Sequence, residues 1–210
     1  MSDDSRASAV ARALLDAGSV GLTPDEPVTF KSGLRSPVYV DNRQLISQPR
    51  PWRIVIDGFA AALPRGRPVI AGVEAAGIPH SSALAFSAGL PSVFVRKEAK
   101  EHGLGRRVEG GDVSGRRTIL VEDMVTTGGS SLSAVAALRE AGAEVSDCFA
   151  IITYGFAEAM EAFEAADVRL TTLTTFEIVV TEALSTGAID ERGAELVRSW
   201  LADPHAWDDR

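Results

Sequence analysis

Four short runs of apolar, largely β-branched residues constrain what this 210-residue chain can fold into. They are Val69-Ile70-Ala71, Val93-Phe94-Val95, Thr118-Ile119-Leu120-Val121 and Val145 to Ile152. Segments with helical spacing, Ile78–Ala88, Ser130–Ala141 and Ala157–Ala166, alternate with them. Strands that alternate with helices build βαβ units, so the chain is expected to form an α/β fold. Its core is then a doubly wound, mostly parallel sheet covered on both faces. A further strand is predicted near Val168–Leu173, and helices over Glu177–Leu184 and Glu191–Leu201. Toward the other end, Val10, Leu14 and Ala17 predict a helix over Ser5–Ala17, closed by Gly18. Trp52, Val55, Ile56, Phe59 and Leu63 predict another. Val28-Thr29-Phe30 and Val38-Tyr39-Val40 read as a hairpin-like pair around Lys31 to Pro37. Lys97 to Arg117 is too rich in glycine and charge for helix or strand, and a loop that long is usually functional or mobile.

Charge narrows the function. A formal net charge of −8 argues against nucleic acid as a partner, since phosphate contacts call for a basic face. Yet Arg96, Lys97, Lys100, Arg106 and Arg107 fall in one stretch opposed only by Glu98 and Glu101, which suits a small anion held locally. No apolar run approaches the roughly 20 residues of a membrane span, and Met1 to Arg6 lack the pattern of a secretory signal. Cys148, the single cysteine, reads as a small apolar residue of a buried strand. The expectation is a cytoplasmic protein with no membrane or nucleic-acid partner.

The most specific stretch is Ile119-Leu120-Val121-Glu122-Asp123-Met124-Val125-Thr126-Thr127-Gly128-Gly129-Ser130-Ser131. A buried strand ends on two carboxylates, and a Thr/Gly/Ser turn opens a helix. Backbone N–H groups of such a turn, with the helix dipole behind them, suit a phosphate. Adjacent carboxylates repel a phosphate but accept from a vicinal diol, so the pair of sites fits a ribose 5-phosphate. No Gly-Lys-Ser/Thr follows the glycines, so this is not a Walker A loop. The stretch resembles the motif by which type I phosphoribosyltransferases bind phosphoribosyl pyrophosphate (PRPP).

Two further segments are similar to orotate phosphoribosyltransferases in particular. Arg96-Lys97-Glu98-Ala99-Lys100-Glu101-His102-Gly103 resembles their catalytic loop, Arg-Lys-x-x-Lys-x-His-Gly. Phe30-Lys31-Ser32-Gly33-Leu34-Arg35-Ser36-Pro37-Val38-Tyr39-Val40-Asp41 resembles the segment that covers the base. Gly72-Val73-Glu74-Ala75-Ala76-Gly77-Ile78-Pro79 lies where the family has its pyrophosphate loop, although Ala76 stands where some relatives have lysine. Thr153-Tyr154-Gly155 replaces an Asp-Arg pair whose arginine supports the orotate carboxylate in many members. Arg43 is the expected substitute for it.

The resemblance implies a type I phosphoribosyltransferase fold in one domain over residues 1–210, with a core of about 69–156 and a hood from about 1–48 and 170–210. It implies transfer of the phosphoribosyl group of PRPP to orotate, in pyrimidine biosynthesis, with Mg²⁺ held mainly through PRPP and water. The alternatives are another base or a PRPP-binding regulator. By the resemblance, Glu122 and Asp123 hold the ribose hydroxyls and Met124, Val125, Thr126, Thr127, Gly128, Gly129 and Ser130 complete the PRPP site. Arg96, Lys97, Lys100 and His102 stabilise departing pyrophosphate, with Lys100 or His102 as proton donor. Lys31, Tyr39, Val40 and Thr126 border the orotate. A homodimer sharing its sites is implied as well. His80 and His205 are expected to be structural or surface residues, and Trp200 and Trp207 to pack the C-terminal helix.

Overall fold

The computed structural model describes residues 3–29, 35–98, 106–204 and 207. Its contacts divide the chain into two compact units, Met1–Ile54 with Thr174–Arg210, and Val55–Leu173. In chain order the elements are α1 (Asp3–Asp16), β1 (Val20–Leu22), β2 (Val28–Thr29), β3 (Arg35–Ser36), β4 (Val38–Val40), a 3-10 turn (Asn42–Ser47) and α2 (Pro49–Ala62). There follow β5 (Val69–Val73), α3 (Gly77–Ala88), β6 (Ser92–Val95), β7 (Val108–Glu109), β8 (Arg117–Val125), α4 (Gly129–Glu140) and β9 (Glu144–Thr153). The chain closes with α5 (Ala157–Ala165), β10 (Arg169–Thr172), α6 (Phe176–Thr186) and α7 (Glu191–Ala202).

The second unit is built on a six-stranded sheet of order β10-β9-β8-β5-β6-β7, parallel except for β7. All five residues of β5 are buried, as a central strand covered on both faces requires. Val69, Ala71, Leu120, Val135, Leu138 and Phe163 belong to one buried cluster. On the Phe59 side, that ring stacks on Phe149 at 6.3 Å. Strand order reverses between β5 and β8. In an open α/β sheet the crevice outside the carboxyl ends of strands at such a reversal is where ligands bind. No helix among the described residues is long and apolar enough to cross a membrane.

In the first unit, α1 packs on α6, and Arg12 meets the buried Glu182 carboxylate at 2.5 Å. The fully buried Trp200 of α7 donates its indole N–H to the Arg35 carbonyl at 2.9 Å. Here the structure corrects one expectation. Val38–Val40 does not pair with Val28–Thr29; it lies antiparallel to Val20–Leu22, while Val28–Thr29 pairs with Arg35–Ser36. Pro37 supplies no N–H, and the Ser36 hydroxyl both donates to the Val38 carbonyl and accepts from its N–H, so the chain turns to a new partner.

Two more differences concern the second unit. The strand expected to stop at Val121 runs on through Glu122 and Asp123 to Val125, because its parallel pairing continues to Met124↔Ile152 and Val125↔Thr153. The stretch from Lys97 to Arg117 contains a strand after all, in which Val108 pairs with Val95 and Glu109 with Phe94.

Candidate active site

The carboxyl ends of β5 and β8 lie side by side, since Gly72 pairs with Val121. Each leads through a turn into a helix, and neither helix start is capped by a side chain. Ala76 precedes α3 and Gly128 precedes α4, both without a side-chain cap hydrogen bond. Gly128 has φ +85°, and a Cβ there would sit 2.9 Å from the Phe163 ring, so glycine is required twice over. Thr126, Thr127, Gly129 and Ser130 are exposed. Backbone donors at the head of α4 thus open to solvent, as phosphate binding demands.

The two acidic residues differ. Asp123 is half-buried, whereas Glu122 is only 4% exposed. Its Oε2 accepts from the hydroxyls of Ser130 at 3.2 Å and Ser131 at 3.4 Å, and its Oε1 from the Asp123 N–H at 3.2 Å. Burial first, then the adjacent Asp123 charge and a hydrogen bond with that side chain, push Glu122 up to about 8. Glu122 is buried because the strand continues past it and the starts of two helices lie close to it. One is α4; the other is α3, whose Gly77 would place a Cβ 2.6 Å from the Val121 carbonyl and 3.5 Å from Glu122 Oε1. Met124 is half-buried and Val125 buried.

The basic segment leaves the sheet from a short ladder. Arg96 ends it, its N–H donating to the Arg107 carbonyl at 2.9 Å and its guanidinium lying 3.7 Å from Glu109. Arg107 ties the ladder down, with Nε donating to the Arg96 carbonyl at 2.9 Å and Nη1 to the Ser133 hydroxyl of α4 at 3.0 Å. Lys97 is exposed, and its N–H donates to the Glu74 carboxylate at 2.8 Å. Glu74, in the turn after β5, was not singled out by its residue type, because an acid in a phosphate-facing turn gives no local signal. The structure therefore gathers Arg96, Lys97, Glu122, Asp123 and the turn from Thr126 to Ser130 at one end of one sheet.

Lys31, Lys100 and His102 lie outside the described residues, as does His205. Tyr39 and Val40 belong to the first unit, Tyr39 being 42% exposed. Arg43 meets Asp41 at 2.5 Å. His80 is fully buried on α3, where desolvation pushes its imidazole down to about 4 and keeps it neutral. Burial likewise pushes the Cys148 thiol up, which leaves it inert. At the end of β9, the Thr153 hydroxyl donates to the Val125 carbonyl at 2.9 Å, and the Tyr154 ring stacks on Phe156 at 5.3 Å. Among the described residues no three His, Cys, Asp or Glu side chains gather as a metal cage.

The sequence pattern of the phosphoribosyl transferase domain matches residues 53–184, which hold the whole of this strand-end cluster. The chain belongs to the phosphoribosyltransferase family. Within it, the chain is 41% identical over 201 residues to an orotate phosphoribosyltransferase of Bacillus caldolyticus, covering 94% of this chain and 97% of that protein. Among solved structures it is similar to orotate phosphoribosyltransferase from Aeropyrum pernix, with a TM-score of 0.72, 28% identity, and 86% of this chain and 99% of that one covered. A Mycobacterium tuberculosis orotate phosphoribosyltransferase solved with PRPP gives a TM-score of 0.67 at 25% identity, covering 82% of this chain and 98% of that one. This chain's mixed α/β architecture, with its six-stranded, mostly parallel sheet, is similar to the fold of these structures.

Proposed function

We propose that this phosphoribosyltransferase transfers the 5-phosphoribosyl group of PRPP to orotate, giving orotidine 5'-monophosphate and pyrophosphate in the biosynthesis of UMP. The observation that carries the reading is the uncapped start of α4 beside Asp123 at the strand reversal. It supplies phosphate donors and a diol acceptor side by side. The choice of orotate rests on the near full-length likeness to proteins of that name.

In the reaction a ring nitrogen of orotate bonds to the anomeric carbon of PRPP as the bond to pyrophosphate breaks, through an oxocarbenium-like ribosyl. The turn from Thr126 to Ser130 holds the 5-phosphate, and the acidic pair serves the ribose hydroxyls, with Asp123 presented to them. Arg96, Lys97, Lys100 and His102 face the pyrophosphate, where negative charge grows as it leaves, and the turn from Gly72 to Gly77 receives it. Lys100 or His102 is the proton donor. Thr126, Lys31, Tyr39 and Val40 border the orotate. Magnesium fits as a companion of the substrate, held mainly through phosphate oxygens and water, which it favours over cages made wholly of protein ligands. When bound it screens the charge of the pyrophosphate.

We further propose a cytoplasmic homodimer, with no nucleic-acid or membrane partner, in which the loop bearing Lys100 serves the neighbouring subunit's site. Orotate absorbance followed with PRPP and Mg²⁺ tests the reaction: it should fall only when both are present. Ribosylation of a purine or uracil with orotate untouched would leave the family and remove the substrate. Mixing Lys100→Ala with Asp123→Asn subunits tests the sharing. Random exchange makes half the dimers mixed, each with one intact site, so about a quarter of wild-type activity should return. No recovery after confirmed exchange means that each loop serves its own subunit.

A further inference from the structure

Where the basic segment leaves the sheet, a side chain finishes a ladder that the backbone abandons. The Glu74 N–H donates to the Val95 carbonyl at 3.0 Å, one step beyond the pairing of Val73 with Val95. In a continuing parallel ladder the next bond would run from the Lys97 N–H to the Glu74 carbonyl. The chain turns away instead, since β5 ends at Val73 and Glu74 opens the turn toward Gly77. The Glu74 carboxylate takes the Lys97 N–H at 2.8 Å in its place. One residue of this turn thus grips the neighbouring chain on both sides of Arg96, once with its backbone and once with its side chain. On the opposite edge, Arg96 donates its N–H to the Arg107 carbonyl and accepts from the Arg107 guanidinium, which reaches on to Ser133 of α4.

Resting on the proposed function, we infer that Glu74 is a positioning residue whose carboxylate fixes Lys97 against the turn that receives pyrophosphate. It works through reach and not through charge. An acid in a turn that takes up an anion opposes binding by its charge, so its use there is geometric. Both Glu74 and Lys97 are exposed, and a hydrogen bond in water adds little to the stability of the fold. What the link supplies is registry between the turn and the two cations that follow β6. Without it, Arg96 stays tied to Arg107, while Lys97 loses its hold on the turn. A displacement of about 1 Å at such a group can cost about 100-fold in rate. Glutamine keeps the acceptor and the reach of Glu74 but drops the charge. Aspartate keeps the charge and falls one methylene short.

The test compares Glu74→Ala, Glu74→Gln and Glu74→Asp in the full chain. Hydrogen exchange at the Lys97 amide, followed by NMR, reads the link itself. Calorimetric titration with magnesium pyrophosphate and, separately, ribose 5-phosphate reads its consequence. Glu74→Ala should speed Lys97 exchange about tenfold and weaken magnesium pyrophosphate by roughly five- to tenfold. Ribose 5-phosphate, held at the head of α4, should bind within about twofold of wild type. In steady-state assays the same variant should lower kcat by more than it raises the KM for PRPP. Glu74→Gln should recover most of each loss, and Glu74→Asp should behave like Glu74→Ala. Three results overturn the inference: aspartate rescuing where glutamine does not, which marks a role for the charge; ribose 5-phosphate weakened as much as pyrophosphate, which marks general damage; or Lys97 exchange unchanged in Glu74→Ala. Wild-type protein that binds magnesium pyrophosphate but leaves orotate unchanged would count against the substrate assignment and not against this inference.

Discussion

The central sheet buries a carboxyl at each of its ends, and the two are treated in opposite ways. Asp147, near the start of β9, has a side chain only 3% exposed and takes hydrogen bonds from Arg117 at 3.0 Å, from Arg169 and from the Ser146 hydroxyl at 3.0 Å. Burial alone would raise its pKa, but Arg117, Arg169 and Ser146 outweigh it and hold the carboxyl below its ordinary value. Glu122, near the end of β8, meets hydroxyls, a backbone N–H and another carboxyl, and its pKa rises. The same contrast extends to the backbone. Where the strands begin, Arg139 closes the carbonyls of Val145 at 2.7 Å and Ala166 at 2.9 Å; where they end, α3 and α4 start without side-chain caps. One end of the sheet satisfies its own groups and holds the fold together. At the other, two helices start without side-chain caps and the buried carboxyl meets hydroxyls and another carboxyl, as suits a site that takes its partners from a ligand.

The largest expected effect falls at the satisfied end. Asp147→Ala strands two guanidinium groups that share one buried acceptor. Both arginines are partly exposed and can turn to water, so the loss should be about 2–4 kcal/mol, toward the lower part of the range for broken buried pairs. Urea denaturation measures it, and turnover of the remaining folded protein should equal wild type. A variant of normal stability and impaired turnover would erase the division between the two ends.

The second prediction sharpens the comparison through pH. Glu122 has a folded pKa of about 8 against an ordinary 4.5. Below about pH 4.5 it is protonated in both states and costs nothing. As pH rises toward 8, folding must retain a proton that the unfolded chain has released, so stability falls across that window. Asp123 and the Cys148 thiol are the titratable groups beside it, and the thiol, raised by burial, stays neutral throughout. Glu122→Gln removes the slope. Its stability relative to wild type should grow from pH 5 to pH 8 by on the order of a few kcal/mol. An identical difference at both pH values would mean that Glu122 is ionised in the fold.

How much of this was legible in the sequence follows from how local each feature is. The strand, turn and helix from Ile119 to Ser131 are written in consecutive residues, and so the phosphate turn and the parallel sheet around it could be read directly. The partner of Val38–Val40 could not, because Val20–Leu22 is chosen by the bend at Ser36-Pro37 rather than by any alternation in the strands themselves. Val108–Glu109 is too short to show a period, and is recognisable only once it lies on Val95 and Phe94. The burial of Glu122 involves Gly77, a residue of another βα turn, so a motif read alone shows two equivalent acids where the fold makes them unequal in exposure. Lys31, Lys100 and His102, the residues most diagnostic of the chemistry in the sequence, lie outside the described residues.

The smallest effect probes the satisfied end again, at a place where its solution is imperfect. Asp167 has φ 52°, the one left-handed non-glycine residue among those described. It follows α5 in a helix-ending motif, with its N–H donating to the Glu164 carbonyl at 3.0 Å and that of Val168 to the Phe163 carbonyl at 3.0 Å. The helices α3 and α6 end instead on glycines, Gly89 and Gly187, with φ 63° and 73°. A left-handed residue with a Cβ costs roughly 1–2 kcal/mol, somewhat less for aspartate. Glycine removes that cost but gives the unfolded chain back about 0.4–1 kcal/mol of conformational freedom. Asp167→Gly should therefore stabilise the protein by about 0.5 kcal/mol. The backbone carbonyl that receives Arg139 is unchanged by the substitution, so that contact persists. Because the residue lies at the end of the sheet away from the carboxyl termini of β5 and β8, kcat and both KM values should match wild type. A gain in stability accompanied by a loss of turnover would show that the two ends of the sheet are coupled, and would break the comparison at its weakest point.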